Sequence, residues 1–223
     1  MSSPAITGPA PAITSPQVPS LGNGWTSPIS ADQIPQLLES VRAPVLPEAD
    51  PDFYIDWKGI RTRVRMLPWA PPELAGRVSG ALPIPDDGYR SEDAEYACLA
   101  AALVAATDTL RIVEVGAGWA PWSVAGVVLG RRLGLRARAI AVEADATRAG
   151  WAMQHAADND VRAEIVSGSP EQIAERLAQD SDAELTVVEA AAWYETTTLQ
   201  FPDLDERDMG GAVWTLPGTD VDY

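Results

Sequence analysis

Between Arg111 and Glu189 the chain alternates short apolar runs with stretches of helical period, and that alternation admits few folds. Arg111–Val115 is an apolar run that closes on the turn Gly116-Ala117-Gly118. Pro121–Leu133 then reads as a helix, with Pro121 in its first turn, Arg131 and Arg132 in its last and Gly134 as its stop. Arg138–Val142 is a second run, ended by Glu143, and Ala146–Asp158 is a second helix. Val161–Val166 is a third strand, and Ser169-Pro170-Glu171-Gln172 is a capping box that opens a helix to about Ala178. Glu184–Glu189 completes the series. The order predicts an α/β domain with a Rossmann-like, doubly wound parallel sheet, its Arg111–Val115 strand buried.

The flanks differ in character. Residues 1–51 hold 10 of the 19 prolines and repeat Pro-Ala-Ile-Thr at Pro4–Thr7 and Pro11–Thr14. Such a stretch buries too little surface to offset ordering entropy, so it is expected to be a disordered leader, with a short helix over Ala31–Arg42 interrupted by Pro35. Residues 52–90 are expected to cap or wrap the main domain, with strands Phe53–Trp57 and Ile60–Met66 around Lys58-Gly59. The domain proper is placed at 91–223, beginning with a helix over Ser91–Thr107. Ala190–Tyr223 is irregular and acidic, with a strand near Thr196–Phe201.

Composition excludes several function classes. With 16 Lys and Arg against 32 Asp and Glu the net charge is −16, a surface that repels phosphate backbones and anionic bilayers, so neither nucleic acid nor a membrane is the expected partner. Cys98 is the only cysteine and His155 the only histidine, which leaves no Cys/His zinc site; a carboxylate-held Mg²⁺ or Ca²⁺ stays open. Among its neighbours Ala97, Leu99 and Ala100, Cys98 reads as a small buried side chain. No apolar run is long enough to span a bilayer, and no charge precedes Asp32, so no basic secretory n-region is present and a cytoplasmic location is expected.

The chemistry concentrates where strands end, because ligands of parallel sheets bind at the carboxyl ends. Gly116 and Gly118 permit a tight turn and close approach of a ligand, with Ala117 and Trp119 in the same turn. Glu114 can hold backbone amides or a cationic amino group. Glu143 can take both hydroxyls of a ribose, with Ala144 and Asp145 bordering the base; Asp145 also suits a helix N-cap. A dinucleotide fingerprint asks for a small residue at 121, where this chain has Pro121, which lacks an amide for a pyrophosphate. Two acids and two glycines in this order suit a nucleoside that carries an amino group and no pyrophosphate, and S-adenosylmethionine answers that description.

Glu114-x-Gly116-x-Gly118 with Val142-Glu143-Ala144-Asp145 resembles the first two motifs of class I S-adenosylmethionine-dependent methyltransferases. The longer string Val113–Trp122, then Val142–Asp145, then His155–Val161, is similar to FkbM-type methyltransferases over roughly residues 90–200. The resemblance implies the cofactor S-adenosylmethionine, with Glu114, Gly116 and Gly118 along its methionine part, Glu143 on the ribose and Ser167-Gly168-Ser169 on the adenine side. It implies O-methylation of a small-molecule acceptor, a sugar or natural-product intermediate. Two departures stand out: Asp160 replaces the glycine that ends the second helix in the family, and no Asp-x-Glu-Gly-like stretch follows Glu189. The chain therefore reads as lacking a substrate half, or as supplying it from 52–90; the first explanation is favoured.

Further candidates are His155 as a general base for a hydroxyl, and Trp119 and Trp122 beside the cofactor turn as stacking or core residues. Trp193, Tyr194 and Trp214 are candidates for an acceptor surface, and Arg61, Arg63 and Arg65 for one strand face suited to an anion. Two rival functions remain, an NAD(P)-binding oxidoreductase and a non-catalytic Rossmann-like interaction module.

Overall fold

The computed structural model of the chain describes residues 32–67, 70–84, 91 and 93–193. Tyr194, Trp214 and the strand expected near Thr196–Phe201 lie outside them.

Four strands form one parallel sheet: β3 (Thr109–Val115), β4 (Arg136–Glu143), β5 (Ala163–Val166) and β6 (Leu185–Glu189), in the order β3-β4-β6-β5. The helices between them are α3 (Pro121–Arg132), α4 (Ala146–Asp158) and α5 (Pro170–Leu177). The steps from β3 to β4 and from β4 to β5 cross the sheet in one direction, and the step to β6 returns. α3 packs on β3 and β4, α4 packs on β4, β5 and β6, and the two helices touch, so they share one face of the sheet; no residue of α5 is buried. This is an α/β sheet flanked by helices, compatible with a Rossmann-like arrangement.

The burial of Arg111–Val115 is the expectation that fails. Among the described residues β3 stands at the edge of the sheet, with Val113 69% and Val115 64% exposed. In a Rossmann order the glycine-turn strand is interior. Here the interior places fall to β4 and β6, and Leu185, Val187 and Val188 of β6 are buried and suit a strand covered on both faces.

Close packing follows from small residues. Ala137, Ala139 and Ala141 of β4 are buried against α3, where Gly126 and Gly130 face the sheet. A Cβ on Gly130 would stand 2.7 Å from Ala137 Cβ, which explains why this helix tolerates glycine despite its poor propensity.

The N-terminal part is more integrated than expected. α1 (Ile34–Ser40) takes Pro35 in its first turn, where a missing amide costs nothing, so the proline starts the helix and does not interrupt it. Leu38, Val41 and Trp57 are buried in the same cluster as the sheet, and α1 packs on α2 (Asp93–Ala105). Residues 32–51 thus belong in part to the core and not to a leader. Along α2 the buried stripe is Ala97, Ala100 and Leu103; Cys98 falls off it and is exposed, contrary to the expected burial.

β1 (Phe53–Ile55) and β2 (Arg61–Arg63) pair antiparallel around the expected turn, with Gly59 at φ 75°. This hairpin is fastened to the end of α4. Asn159 accepts the Arg61 N–H at 2.9 Å and donates to the Arg61 carbonyl at 2.8 Å, as a neighbouring strand would. The Arg63 fork closes on Asp158 at 2.7 and 2.8 Å, and Arg65 donates to Gln154. Arg61 lies over the Phe53 ring at 5.4 Å. Arg63 and Arg65 are thus held by Asp158 and Gln154, while Arg61 shares the Phe53 ring with Arg63 and keeps a buried Nε without a hydrogen-bond partner.

Candidate functional site

The strand ends set out the rim on which the site would lie. Val115 is level with Val142, Glu143 with Glu189, and Val166 with Val188, so the turn after β3 and the acid ending β4 are neighbours. The turn has positive φ at Gly116 (66°) and Gly118 (55°), and also at Ala120 (57°). A Cβ on Gly116 would meet nothing within 4 Å, so that side of the turn is open. The Ala117 N–H donates to the Val142 carbonyl at 3.0 Å and pins the turn to β4.

Both acids converge on this turn. Glu143 is buried; its Oε2 accepts the Gly118 N–H at 2.7 Å and its Oε1 the Asp145 N–H at 2.9 Å. Glu114 accepts the N–H groups of Trp122 at 3.3 Å and Ser123 at 2.8 Å. Burial raises the Glu114 pKa above the usual carboxylate value, and the hydrogen bonds from Ser123 and Trp122 oppose the rise.

Together these contacts fill the N-terminus of α3. A helix leaves its first N–H groups without intrahelical partners. Here the Ala120 N–H bonds the Ala117 carbonyl at 2.7 Å, Pro121 has none, and Trp122 and Ser123 are held by Glu114. A carboxylate thus occupies the place where a helix ordinarily receives phosphate.

Asp145 caps α4, accepting the Arg148 N–H at 2.8 Å, with half-buried Ala144 between it and Glu143. Ser169 caps α5 in the expected capping box, and Gly168 has φ 128°. Gly168 and Ser169 are exposed and stand at the end of β5, separated from β4 by β6. The structure therefore brings Glu114, Gly116, Ala117, Gly118, Trp119, Glu143, Ala144 and Asp145 together, and leaves Gly168 and Ser169 apart.

On the other flank of the turn lies a cavity of about 210 Å³. Its walls include Tyr54, Thr62, Tyr96, Trp119, Trp122 and His155. The rings of Tyr96 and Trp122 are 5.0 Å apart. Asp56 and Lys58 also line it, as a buried ion pair whose Nζ sits 4.3 Å from the Tyr96 ring centroid. His155 is 1% exposed. Its Nδ1 is 3.0 Å from the Trp119 carbonyl, which can only accept, so the proton is assigned to Nδ1 and Nε2 carries the lone pair. Nε2 is 3.5 Å from Thr62 Oγ1. Burial pushes the His155 pKa down to about 4, against the Trp119 carbonyl and the charges of Asp158 and Asp56.

Tyr54, Asp56, Lys58, Thr62 and Tyr96 were absent from the sequence-based candidates. The Asp-Trp-Lys-Gly turn is a readable local signal, but the docking of its hairpin on α4 is not. Trp193 is 39% exposed. Among the described residues no group of three or more His, Cys, Asp or Glu side chains could hold a metal ion, and no helix is long and apolar enough to cross a membrane. Comparison of the chain with family models, curated proteins and solved structures finds no match.

Proposed function

We propose that the chain binds S-adenosylmethionine on the Gly116–Gly118 turn and methylates a hydroxyl of a small-molecule acceptor. The observation that carries this reading is the filled N-terminus of α3. A dinucleotide would bring its pyrophosphate to amides that Glu114 already holds, and to a carboxylate of its own sign. A nucleoside with an amino group and no phosphate meets neither obstacle, which favours S-adenosylmethionine over NAD(P).

The residues fit such a ligand. A carboxylate has about four acceptor positions. Glu143 uses two on backbone amides and keeps acceptor capacity for a ribose diol at the end of β4. Glu114 likewise keeps capacity for an ammonium group, and Ala144 and Asp145 would border the base. S-adenosylmethionine, when bound, supplies an electrophilic methyl group. The chain contributes position and one hydrogen-bond acceptor: the acceptor molecule would enter the cavity between Trp119, Trp122 and His155, and His155 Nε2 would accept a hydrogen bond from its hydroxyl, whose proton passes to solvent as the S–CH₃ bond breaks and the O–CH₃ bond forms. Most of the acceleration in such a transfer comes from alignment.

Equilibrium dialysis with labelled S-adenosylmethionine tests the reading. Glu143→Gln, which keeps the shape of the turn staple better than alanine, is expected to weaken binding by about 1–3 kcal/mol. Unchanged affinity would remove Glu143 from the site. No binding to the wild-type chain would favour the non-catalytic module.

A further inference from the structure

We propose that the cavity beside Trp119 and Trp122 is a binding site for a small planar aromatic compound bearing a hydroxyl group, its ring against the aromatic walls and its hydroxyl donating to His155 Nε2. This goes beyond the methyl-transfer reading, because binding of this kind needs no cofactor.

Size sets the first bound. A cavity of roughly 150 Å³ lined by apolar side chains takes a benzene molecule. At about 210 Å³ the space suits one substituted ring. Aromatic side chains set the second. Tyr54, Tyr96, Trp119 and Trp122 offer ring faces and edges, which favour a flat partner. Tyr96, Trp119 and Trp122 are half-buried.

Polarity sets the third. Lys58 and Asp56 neutralise each other, so the lining asks for no net charge on the ligand. His155 Nε2 is a buried acceptor whose neighbouring hydroxyl, at 3.5 Å, is at the limit of a hydrogen bond. A buried acceptor without a good donor is costly, and a ligand hydroxyl cures that cost. The low pKa of His155 keeps this lone pair available at neutral pH.

The test uses p-cresol and p-xylene, which differ by a hydroxyl in place of a methyl group, titrated into the full chain at neutral pH. His155 is the only histidine, so its imidazole Cε1–H gives one unambiguous NMR signal in an untagged protein. p-Cresol is expected to bind about five- to tenfold tighter than p-xylene and to shift that signal. In His155→Asn, which retains a donor for the Trp119 carbonyl, the preference is expected to disappear while p-xylene affinity is kept. Equal affinities in the wild-type chain, binding that leaves the imidazole signal unmoved, or no p-cresol binding at about 10 mM would each overturn the proposal. The wild-type comparison decides even if the variant fails to fold. S-adenosylhomocysteine binding is measured separately, so either idea can fail alone.

Discussion

His155 and Gly130 show how single positions record opposing energies. The folded chain keeps His155 neutral down to about pH 4, whereas an unfolded histidine takes a proton near its ordinary value of 6.5. The unfolded state therefore binds more protons between those values, and this contribution to stability is lost as pH falls through the window. The shift corresponds to about 3 kcal/mol. Glu114 acts in the opposite sense: its raised pKa makes stability fall as pH rises above its ordinary value of 4.5. Urea unfolding at pH 7 and pH 4.5 is expected to show a larger acid loss in the wild-type chain than in His155→Asn; equal losses would contradict the burial argument. At Gly130 alanine gains about 1 kcal/mol of helix propensity but meets Ala137 Cβ, which cannot rotate away. Overpacking costs about 1–3 kcal/mol, so Gly130→Ala is expected to lower the urea midpoint.

At the scale of elements, helix ends were the most legible part of the sequence. α3 ends in a Schellman motif, with Gly134 at φ 78° and the Leu135 N–H on the Gly130 carbonyl at 2.9 Å. α4 ends the same way, the Val161 N–H reaching the Ala156 carbonyl at 2.9 Å, but Asp160 takes the left-handed place at φ 56°. This is the position where the resemblance to FkbM-type methyltransferases leads one to expect a glycine. Asp160→Gly is expected to stabilise the chain by about 0.5–1 kcal/mol in thermal or urea unfolding, because glycine carries no Cβ penalty there. Caps and stops are readable because a few adjacent residues decide them. Cys98 and the arginines depart from expectation for the converse reason: the exposure of Cys98 follows from which face of α2 packs inward, and the partners of Arg63 and Arg65 lie on α4, distant in sequence. Asn159 holds the Arg61 backbone from the end of α4, and Asn159→Ala, leaving those groups without partners, is expected to cost about 1–3 kcal/mol.

Across the whole molecule, the period of the apolar runs identified an α/β parallel sheet, since each strand and helix needs its own burial pattern. Strand order was not legible in this way. Which strands become neighbours depends on how crossovers pack, and with β6 between β4 and β5 the strand β3 is at the edge among the described residues. The convergence of Glu114 and Glu143 on one turn was foreseeable from their places at two strand ends, but their use of backbone amides was not. That use shapes the account of ligand choice: the α3 terminus is filled by a carboxylate and has no place for a phosphate. Calorimetric titration of the full chain with S-adenosylhomocysteine and NAD side by side tests this most directly. The expected result is micromolar binding of S-adenosylhomocysteine and none of NAD. Binding of NAD with no heat from S-adenosylhomocysteine would contradict it.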